Sequence, residues 1–214
     1  MIFNPYAPTS VAKTLRRIDV RPNQALGQSF LADEGAARKM IRFVEAEAPS
    51  FIVEIGPGLG ALTGPLLEIG TDVLVIEKDR RLAEFLRERF AGETRLRVET
   101  ADAIDFAIPP LPERTCVVGN LPYSAASPIL YRVFDDWRPT GPIFISLQKE
   151  MGARLVAEPG TENYGAFTIR TALLSRTRKL MEIAPECFVP RPEVRSSYFR
   201  IDRIVDADVP RVEL

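Results

Sequence analysis

From residue 51 onward, short apolar runs alternate with stretches in which apolar residues recur at helical spacing. The runs are rich in valine and isoleucine, which is typical of strands buried in a parallel sheet. Between two of them, Leu82, Phe85 and Leu86 lie on one side of a predicted helix from Arg80 to Phe90. The predicted strands cover residues 51–55, 72–77, 96–99, 115–118, 143–147, 179–183 and 194–201, and further helices are predicted over 34–47, 128–134, 149–157 and 166–174.

This alternation of strands and helices predicts an α/β fold with a doubly wound sheet. The last two predicted strands have no long helix between them, so we expect them to pair antiparallel. The expected sheet is therefore mainly parallel and seven-stranded, with an antiparallel final strand. Residues 22–204 form the predicted domain.

The two ends of the chain differ from this pattern. Residues 1–21 form a predicted N-terminal arm that begins irregularly and then has a possible helix over 10–17. Residues 205–214 are polar and read as a tail or as the start of a C-terminal domain. The arm is either a solvated terminus or a phosphate-contacting segment, because it carries the basic residues Lys13, Arg16, Arg17 and Arg21.

The amino-acid composition limits the class of protein and the kinds of active site that the chain can form. The chain of 214 residues is 46% hydrophobic and 27% charged, which suits one globular domain. It has no apolar run long enough to span a bilayer and no signal-peptide layout, so we expect a cytoplasmic protein without a membrane partner. The two cysteines suit a reducing compartment. The absence of histidine excludes a Ser-His-Asp triad and argues against a metal site.

The net charge of −1 argues mildly against a nucleic-acid partner, since such partners usually require a basic excess. Arginine greatly outnumbers lysine, however, and the planar guanidinium suits phosphate recognition. A basic face within a neutral chain therefore remains compatible with RNA binding.

A glycine loop over residues 54–61 follows the first predicted strand of the domain, and Glu77 ends the next one. Glycines let the backbone turn sharply and approach a ligand, and a carboxylate at that strand end can accept from ribose hydroxyls. Gly56, Gly58 and Ala61 satisfy the looser dinucleotide fingerprint, so NAD is one interpretation. The tight spacing of Gly56, Gly58 and Gly60 favours S-adenosylmethionine, whose amino-acid tail needs only a compact turn.

A second candidate site follows the predicted strand 115–118, where Asn120, Leu121, Pro122 and Tyr123 come in succession. An amide oxygen and a backbone carbonyl can each accept from an exocyclic amino group, and an aromatic ring can stack on a base. These residues therefore suit an adenine whose amino group is to be modified. The alternative is a strand end with a turn and a proline stop.

Together these stretches resemble the KsgA/RsmA family of small-subunit ribosomal RNA adenine dimethyltransferases, which share their core with the Erm resistance methyltransferases. The likeness covers about residues 22–201 and keeps the family order. Its segments are Leu26–Leu31, Glu54–Thr63, Glu77–Asp79, Asp102 with Ala103, Asn120–Tyr123, Ser127–Leu130, Gln148–Glu150 with Arg154, Tyr164 with Gly165, and Phe188–Val194.

The resemblance implies a Rossmann-like class I S-adenosylmethionine-dependent methyltransferase fold and a set of site residues. It implies that the cofactor is held by Gln28, Ser29, Leu31, Gly56, Gly58, Gly60, Glu77, Lys78, Asp102, Ala103 and Asn120. The target adenosine would be held by Asn120, Leu121, Pro122, Tyr123 and Phe188, and Lys149, Arg154, Arg191 and Arg195 would form either a phosphate track or a solvated face.

The implied activity is dimethylation of adenosine amino groups in ribosomal RNA of the small-subunit precursor, by a monomer without metal. Two sequence departures bear on it: Ser29 and Ser124 stand where the family usually has asparagine. The family also usually continues into a helical C-terminal domain. An Erm-type enzyme, a small-molecule methyltransferase, an NAD-dependent oxidoreductase and a non-catalytic RNA-binding factor are the alternatives.

Overall fold

The computed structural model describes residues 3–22, 28–122 and 125–204. Its helices are α1 (Pro8–Arg17), α2 (Glu34–Glu45), α3 (Thr63–Glu68), α4 (Arg80–Arg89), α5 (Ala126–Arg132), α6 (Lys149–Leu155) and α7 (Ala166–Leu174). Its strands are β1 (Phe30–Leu31), β2 (Phe51–Ile55), β3 (Asp72–Glu77), β4 (Leu96–Thr100), β5 (Thr115–Asn120), β6 (Ile143–Gln148), β7 (Ser175–Ile183), β8 (Phe188–Val189) and β9 (Ser196–Arg203).

Seven strands form one sheet in the order β4-β3-β2-β5-β6-β9-β7. The first five strands in this order, from β4 through β2 to β6, pair parallel with their neighbours. Strand β9 pairs antiparallel with both β6 and β7. This confirms the predicted seven-stranded sheet with an antiparallel final strand. Strands β2, β3 and β4 follow one another toward one edge of the sheet, and β5 and β6 follow one another toward the other edge. The direction in which the chain adds strands therefore reverses between β2 and β5.

Two apolar layers cover the sheet because alternate residues of each strand face opposite sides. Val53 and Ile55 of β2 pack in the layer that includes α5, α6 and α7. Ile52, which precedes Val53 and faces the opposite side, packs in the layer that includes α2 and α3. The near-continuous apolar strands of the sequence are therefore those buried on both faces.

The predicted strands 51–55 and 72–77 and the predicted helix 166–174 are observed with the same ends, and the other predicted elements have ends displaced by a few residues. The predicted helix over 128–134 is observed as α5 followed by a π-helical turn, Val133–Trp137. The predicted strand 179–183 begins earlier, at Ser175, as β7. Two short strands, β1 and β8, have no counterpart among the predictions and pair antiparallel with each other.

The arm contributes to a third apolar cluster. Helix α1 buries Val11 and Leu15 beside Phe30, Leu82 and Phe85, which come from β1 and α4. The arm is thus packed against the elements that flank the glycine loop. The division of the chain at residues 21 and 204 stays a prediction, and residues 205–214 lie outside the described part.

No helix within the described residues is long and apolar enough to cross a membrane.

Strands β5 and β6 are held at close distance by Gly141, whose N–H donates to the Thr115 carbonyl at 3.0 Å. A Cβ at residue 141 would lie 2.7 Å from that carbonyl oxygen, and a backbone atom cannot move aside cheaply. We expect Gly141→Ala to destabilise the protein by about 2–3 kcal/mol and to lower the melting temperature by about 5–10 °C.

Thermal unfolding measures this effect, with Gly64→Ala as the control, because a Cβ there would meet nothing closer than 3.9 Å. Equal melting temperatures for the two variants would contradict this packing constraint.

Candidate active site

A cavity of about 520 Å³ opens at the carboxyl ends of β2, β3 and β5. In open α/β sheets, ligands bind where the strand order reverses, and the reversal here lies between β2 and β5. The cavity walls include most residues of the two candidate sites: Gln28, Ser29, Leu31, Gly56, Gly58, Glu77, Lys78, Asp102, Ala103, Asn120, Leu121, Pro122 and Phe188. The fold therefore joins two sites that are separate in sequence.

The glycine loop connects β2 to α3 through three residues with positive φ: Gly56 at 65°, Gly58 at 58° and Gly60 at 78°. This conformation strains residues with a side chain. Gly58 also has no room for one, since a Cβ would lie 2.9 Å from the Phe30 ring. Gly60 does not line the cavity; its Cα faces Leu86 and Arg89 on the outer side of the loop, where a Cβ would clash.

Glu54, in strand β2 just before this loop, lines the cavity with only 2% of its surface exposed. It accepts a hydrogen bond of 2.7 Å from the Thr63 hydroxyl. Burial raises the pKa of Glu54 to about 7, with a smaller contribution from the Glu77 carboxylate; the Thr63 bond opposes the shift. Glu54 therefore exchanges its proton near neutral pH.

Glu77 ends β3 and is fixed by two backbone donors. Its Oε2 accepts from the Gly58 N–H at 3.1 Å, and its Oε1 accepts from the Asp79 N–H at 2.9 Å. Burial raises the pKa of Glu77, and these two hydrogen bonds oppose the shift. Each oxygen retains a lone pair, so the carboxylate can also accept from a vicinal diol such as a ribose.

Asp102 follows β4 on the adjoining wall and is paired with Lys78, whose Nζ lies 2.6 Å from Oδ2. Its Oδ1 accepts from the Ile104 N–H at 3.0 Å. Burial raises the pKa of Asp102, but the Lys78 ammonium and the Ile104 N–H outweigh burial, so the net pKa is below its ordinary value. Asp102 is thus an anionic acceptor beside the buried Ala103, which suits the amino edge of an adenine.

Asn120 ends β5 with its side chain held on both sides. Its Nδ2 donates to the Ser29 carbonyl at 3.2 Å, and its Oδ1 accepts from the Ser146 hydroxyl of β6. Because a carbonyl can only accept, the Ser29 bond sets the orientation of the amide. The Oδ1 atom keeps a second lone pair for a ligand.

Phe188 reaches the same cavity through the two-stranded ribbon of β1 and β8. In this ribbon Leu31 pairs with Phe188 and Phe30 pairs with Val189. Phe188 is buried among the cavity walls together with Leu121. Tyr123, predicted as a stacking face, lies outside the described residues.

Three of the four predicted RNA-binding residues lie near the mouth of the cavity. Lys149 donates its backbone N–H to the Arg195 carbonyl at 2.9 Å, and both side chains are exposed. Arg191 is exposed and paired with Glu186 at 2.6 Å. Their chain neighbours Gln148, Pro192 and Ser196 line the cavity. Arg154 instead lies over the Phe167 ring, 5.8 Å from its centre.

Sequence reasoning missed several residues of the site. Phe30, Ser146 and Ser196 contribute through β1, β6 and β9, and none belongs to a short motif that carries chemistry by itself. Phe30 could have been suspected, because it is an aromatic residue within the segment that also holds Gln28 and Leu31. Among the described residues, no three His, Cys, Asp or Glu side chains are grouped so as to hold a metal ion.

The fold and the cavity together define a class I S-adenosylmethionine-dependent methyltransferase. The family model for ribosomal RNA adenine dimethylase matches residues 20–213. The ribosomal RNA small subunit methyltransferase A of Methylococcus capsulatus is 39% identical over 182 residues, which is 84% of this chain and 71% of that protein. The chain therefore belongs to the ribosomal RNA adenine dimethylase family.

Two solved structures agree with this assignment. A dimethyladenosine transferase from Plasmodium falciparum superimposes with a TM-score of 0.73 at 26% identity, over 83% of this chain and 64% of that one. The 23S ribosomal RNA methyltransferase ErmE gives a TM-score of 0.71 at 26% identity, over 85% of this chain and 72% of that one. The cofactor is S-adenosylmethionine, and the NAD interpretation is set aside.

Replacement of Glu54 tests its protonation. Because its pKa is about 7 in the folded protein and ordinarily 4.5, the folded state binds this proton more tightly. The stability of the cofactor-free protein should therefore fall as pH rises from about 4.5 to 7. At pH 8, Glu54→Gln should be more stable than the wild type by up to about 3 kcal/mol, and at pH 4 the difference should vanish.

Urea unfolding at the two pH values measures the difference, with the exposed Glu158→Gln as the control. A Glu54→Gln variant that is less stable than the wild type at pH 8 would contradict the assignment of a costly buried charge.

Proposed function

We propose that this chain dimethylates the exocyclic amino group of adenosines in small-subunit ribosomal RNA, with S-adenosylmethionine as methyl donor. The observation that carries this proposal is the common cavity: the glycine loop and Glu77 line one part of it, and Asn120, Leu121 and Phe188 line another. A donor and an acceptor bound in these parts would face each other without a covalent enzyme intermediate.

The cofactor side of the cavity fits S-adenosylmethionine chemically. Gly56 and Gly58 line the cavity where the loop would receive the amino-acid tail, and the fixed carboxylate of Glu77 suits the ribose hydroxyls. Asp102, Lys78 and Ala103 would hold the adenine, and Gln28, Ser29 and Leu31 would cover the methionine part. The bound cofactor supplies a methyl group already activated by a sulfonium, so the protein needs positioning more than acid–base groups.

The acceptor side fits an adenine amino group. The lone pair of that nitrogen is delocalised into the ring, which makes it a poor nucleophile. Asn120 Oδ1 and the Leu121 carbonyl would accept its two hydrogens, favour a tetrahedral nitrogen and direct its lone pair toward the cofactor side. Such preplaced dipoles stabilise the transition state. Pro122 would rigidify this segment, and Phe188, with Tyr123, would stack on a base turned out of its helix.

Phosphate contacts would come from Lys149, Arg191 and Arg195 at the mouth of the cavity. Arg154 is a weaker candidate, because its guanidinium is already engaged with Phe167.

We expect the enzyme to act as a cytoplasmic monomer on two adjacent adenosines near the 3′ end of the RNA. The 39% identity to the small-subunit enzyme of Methylococcus capsulatus supports the small-subunit substrate over the large-subunit alternative.

Asn120→Ala separates catalysis from cofactor binding. Loss of a preplaced acceptor should lower kcat about 100- to 1,000-fold. Cofactor affinity should fall by less than about tenfold, because on the cofactor side the substitution removes only the hydrogen bond to the Ser29 carbonyl. Glu77→Gln should show the opposite split and weaken cofactor binding at least about tenfold. Single-turnover kinetics and isothermal titration calorimetry measure the two effects; equal losses of rate and affinity in Asn120→Ala would refute its proposed role.

The substrate is tested with labelled S-adenosylmethionine and small ribosomal subunits that lack the modification. We expect label on adenosine amino groups of small-subunit RNA, with large subunits as the control. Mapping of the label by mass spectrometry distinguishes mono- from dimethylation. Labelling confined to large-subunit RNA would contradict the proposal.

A further inference from the structure

Arg89, in the last turn of α4, lies against the outer side of the glycine loop. Its Nη1 donates to the carbonyl of Leu59 and, at 3.1 Å, to the carbonyl of Gly60. A Cβ on Gly60 would lie 2.9 Å from this nitrogen. The glycine at residue 60 therefore makes room for the guanidinium, which explains why it does not line the cavity.

Aromatic rings and loop carbonyls surround the guanidinium of Arg89. Its guanidinium lies 4.9 Å from the ring centre of Phe3 and 4.7 Å from that of Phe90. Among the described residues, no carboxylate forms an ion pair with it, and its charge acts at longer range on Glu54 and Tyr6. Loop carbonyls and aromatic faces are thus the partners of a partly buried charge.

Residues near the start of the chain also contact the glycine loop and the helix behind it. The Tyr6 hydroxyl donates to the Ala61 carbonyl at 2.9 Å, and the Phe3 ring packs edge-on against Phe85 at 5.1 Å. Three successive loop carbonyls, those of Leu59, Gly60 and Ala61, are therefore bonded from the outer side. In a trans peptide the N–H points opposite to the C=O. The peptide units that end at Ala61 and Leu62, both residues of the cavity wall, turn their N–H groups away from Arg89 and Tyr6.

We propose that Arg89, assisted by Tyr6, is a positioning residue for the amino-acid tail of the cofactor. It holds the loop carbonyls outward so that the cavity side of the loop presents donors, and it places a positive charge behind the loop that receives the cofactor carboxylate. This inference rests on the proposed placement of the tail in the glycine loop. It also gives the N-terminal arm a role in cofactor binding.

Two ligands that differ only in the tail test this role by isothermal titration calorimetry. S-adenosylhomocysteine carries the amino-acid tail, and methylthioadenosine is the same thionucleoside without it. Arg89→Met keeps an apolar stem but removes the charge and the donors. It should weaken binding of S-adenosylhomocysteine about tenfold and binding of methylthioadenosine less than about twofold. Equal weakening of both ligands would assign Arg89 a general structural role and overturn the inference.

Tyr6→Phe provides a second variant, since it removes one hydrogen bond and keeps the ring. It should weaken the binding of S-adenosylhomocysteine about two- to fivefold and leave the binding of methylthioadenosine unchanged. Arg95→Met is the control, because Arg95 pairs with Glu93 away from the cavity. If Arg89→Met fails to fold in a thermal scan, Tyr6→Phe decides the question alone.

The outcomes also separate this inference from the proposed function. A wild-type protein that binds both ligands equally would show that the tail does not occupy the glycine loop, and the proposed cofactor placement would be wrong. A wild type that prefers S-adenosylhomocysteine, with variants that keep the full preference, would overturn the role of Arg89 and Tyr6 alone.

Discussion

The carboxylate of Glu77 lies where the end of β3 meets the loop after β2, and it joins the two through hydrogen bonds from the Gly58 and Asp79 N–H groups. Because the carboxylate is buried, these bonds offset part of its desolvation. They also fix its orientation before any ligand arrives. The glycine loop is therefore bound to the strand end on its inner side by Glu77 and on its outer side by Arg89 and Tyr6. This wall of the cavity is preorganised, which would lower the entropic cost of binding a cofactor there.

The ribbon of β1 and β8 links this wall to the acceptor side. Ser29 accepts from the Asn120 amide, and two residues later Leu31 pairs with Phe188. Phe30 covers Gly58 between them. One short segment thus contacts the glycine loop, the end of β5 and the aromatic wall. Membership of the ribosomal RNA adenine dimethylase family follows from the sequence match, and this arrangement supplies a physical reason for a donor and an acceptor to meet.

The regular elements were predictable because the burial of both sheet faces imposes a pattern on the sequence. Strand β3 and helix α7 were predicted with their observed ends, as was the antiparallel pairing of the last two strands. Strands β1 and β8 have two residues each, which is too short for any periodicity. The contacts of Arg89 and Ser146 join distant parts of the chain, and a single arginine at a helix end or a single serine in a strand carries no local sequence signal for them. The glycine motif indicated a cofactor loop, but only the fold shows that Gly60 faces outward.

Methyl transfer in this protein depends on the meeting of donor and acceptor in one cavity. A crystal structure of the protein with S-adenosylhomocysteine and an adenosine-containing oligonucleotide tests it most directly. We expect the homocysteine tail in the glycine loop, the ribose on Glu77, and the target amino group between Asn120 and the cofactor sulfur. A target base held outside the cavity, or an amino group turned away from Asn120, would contradict it.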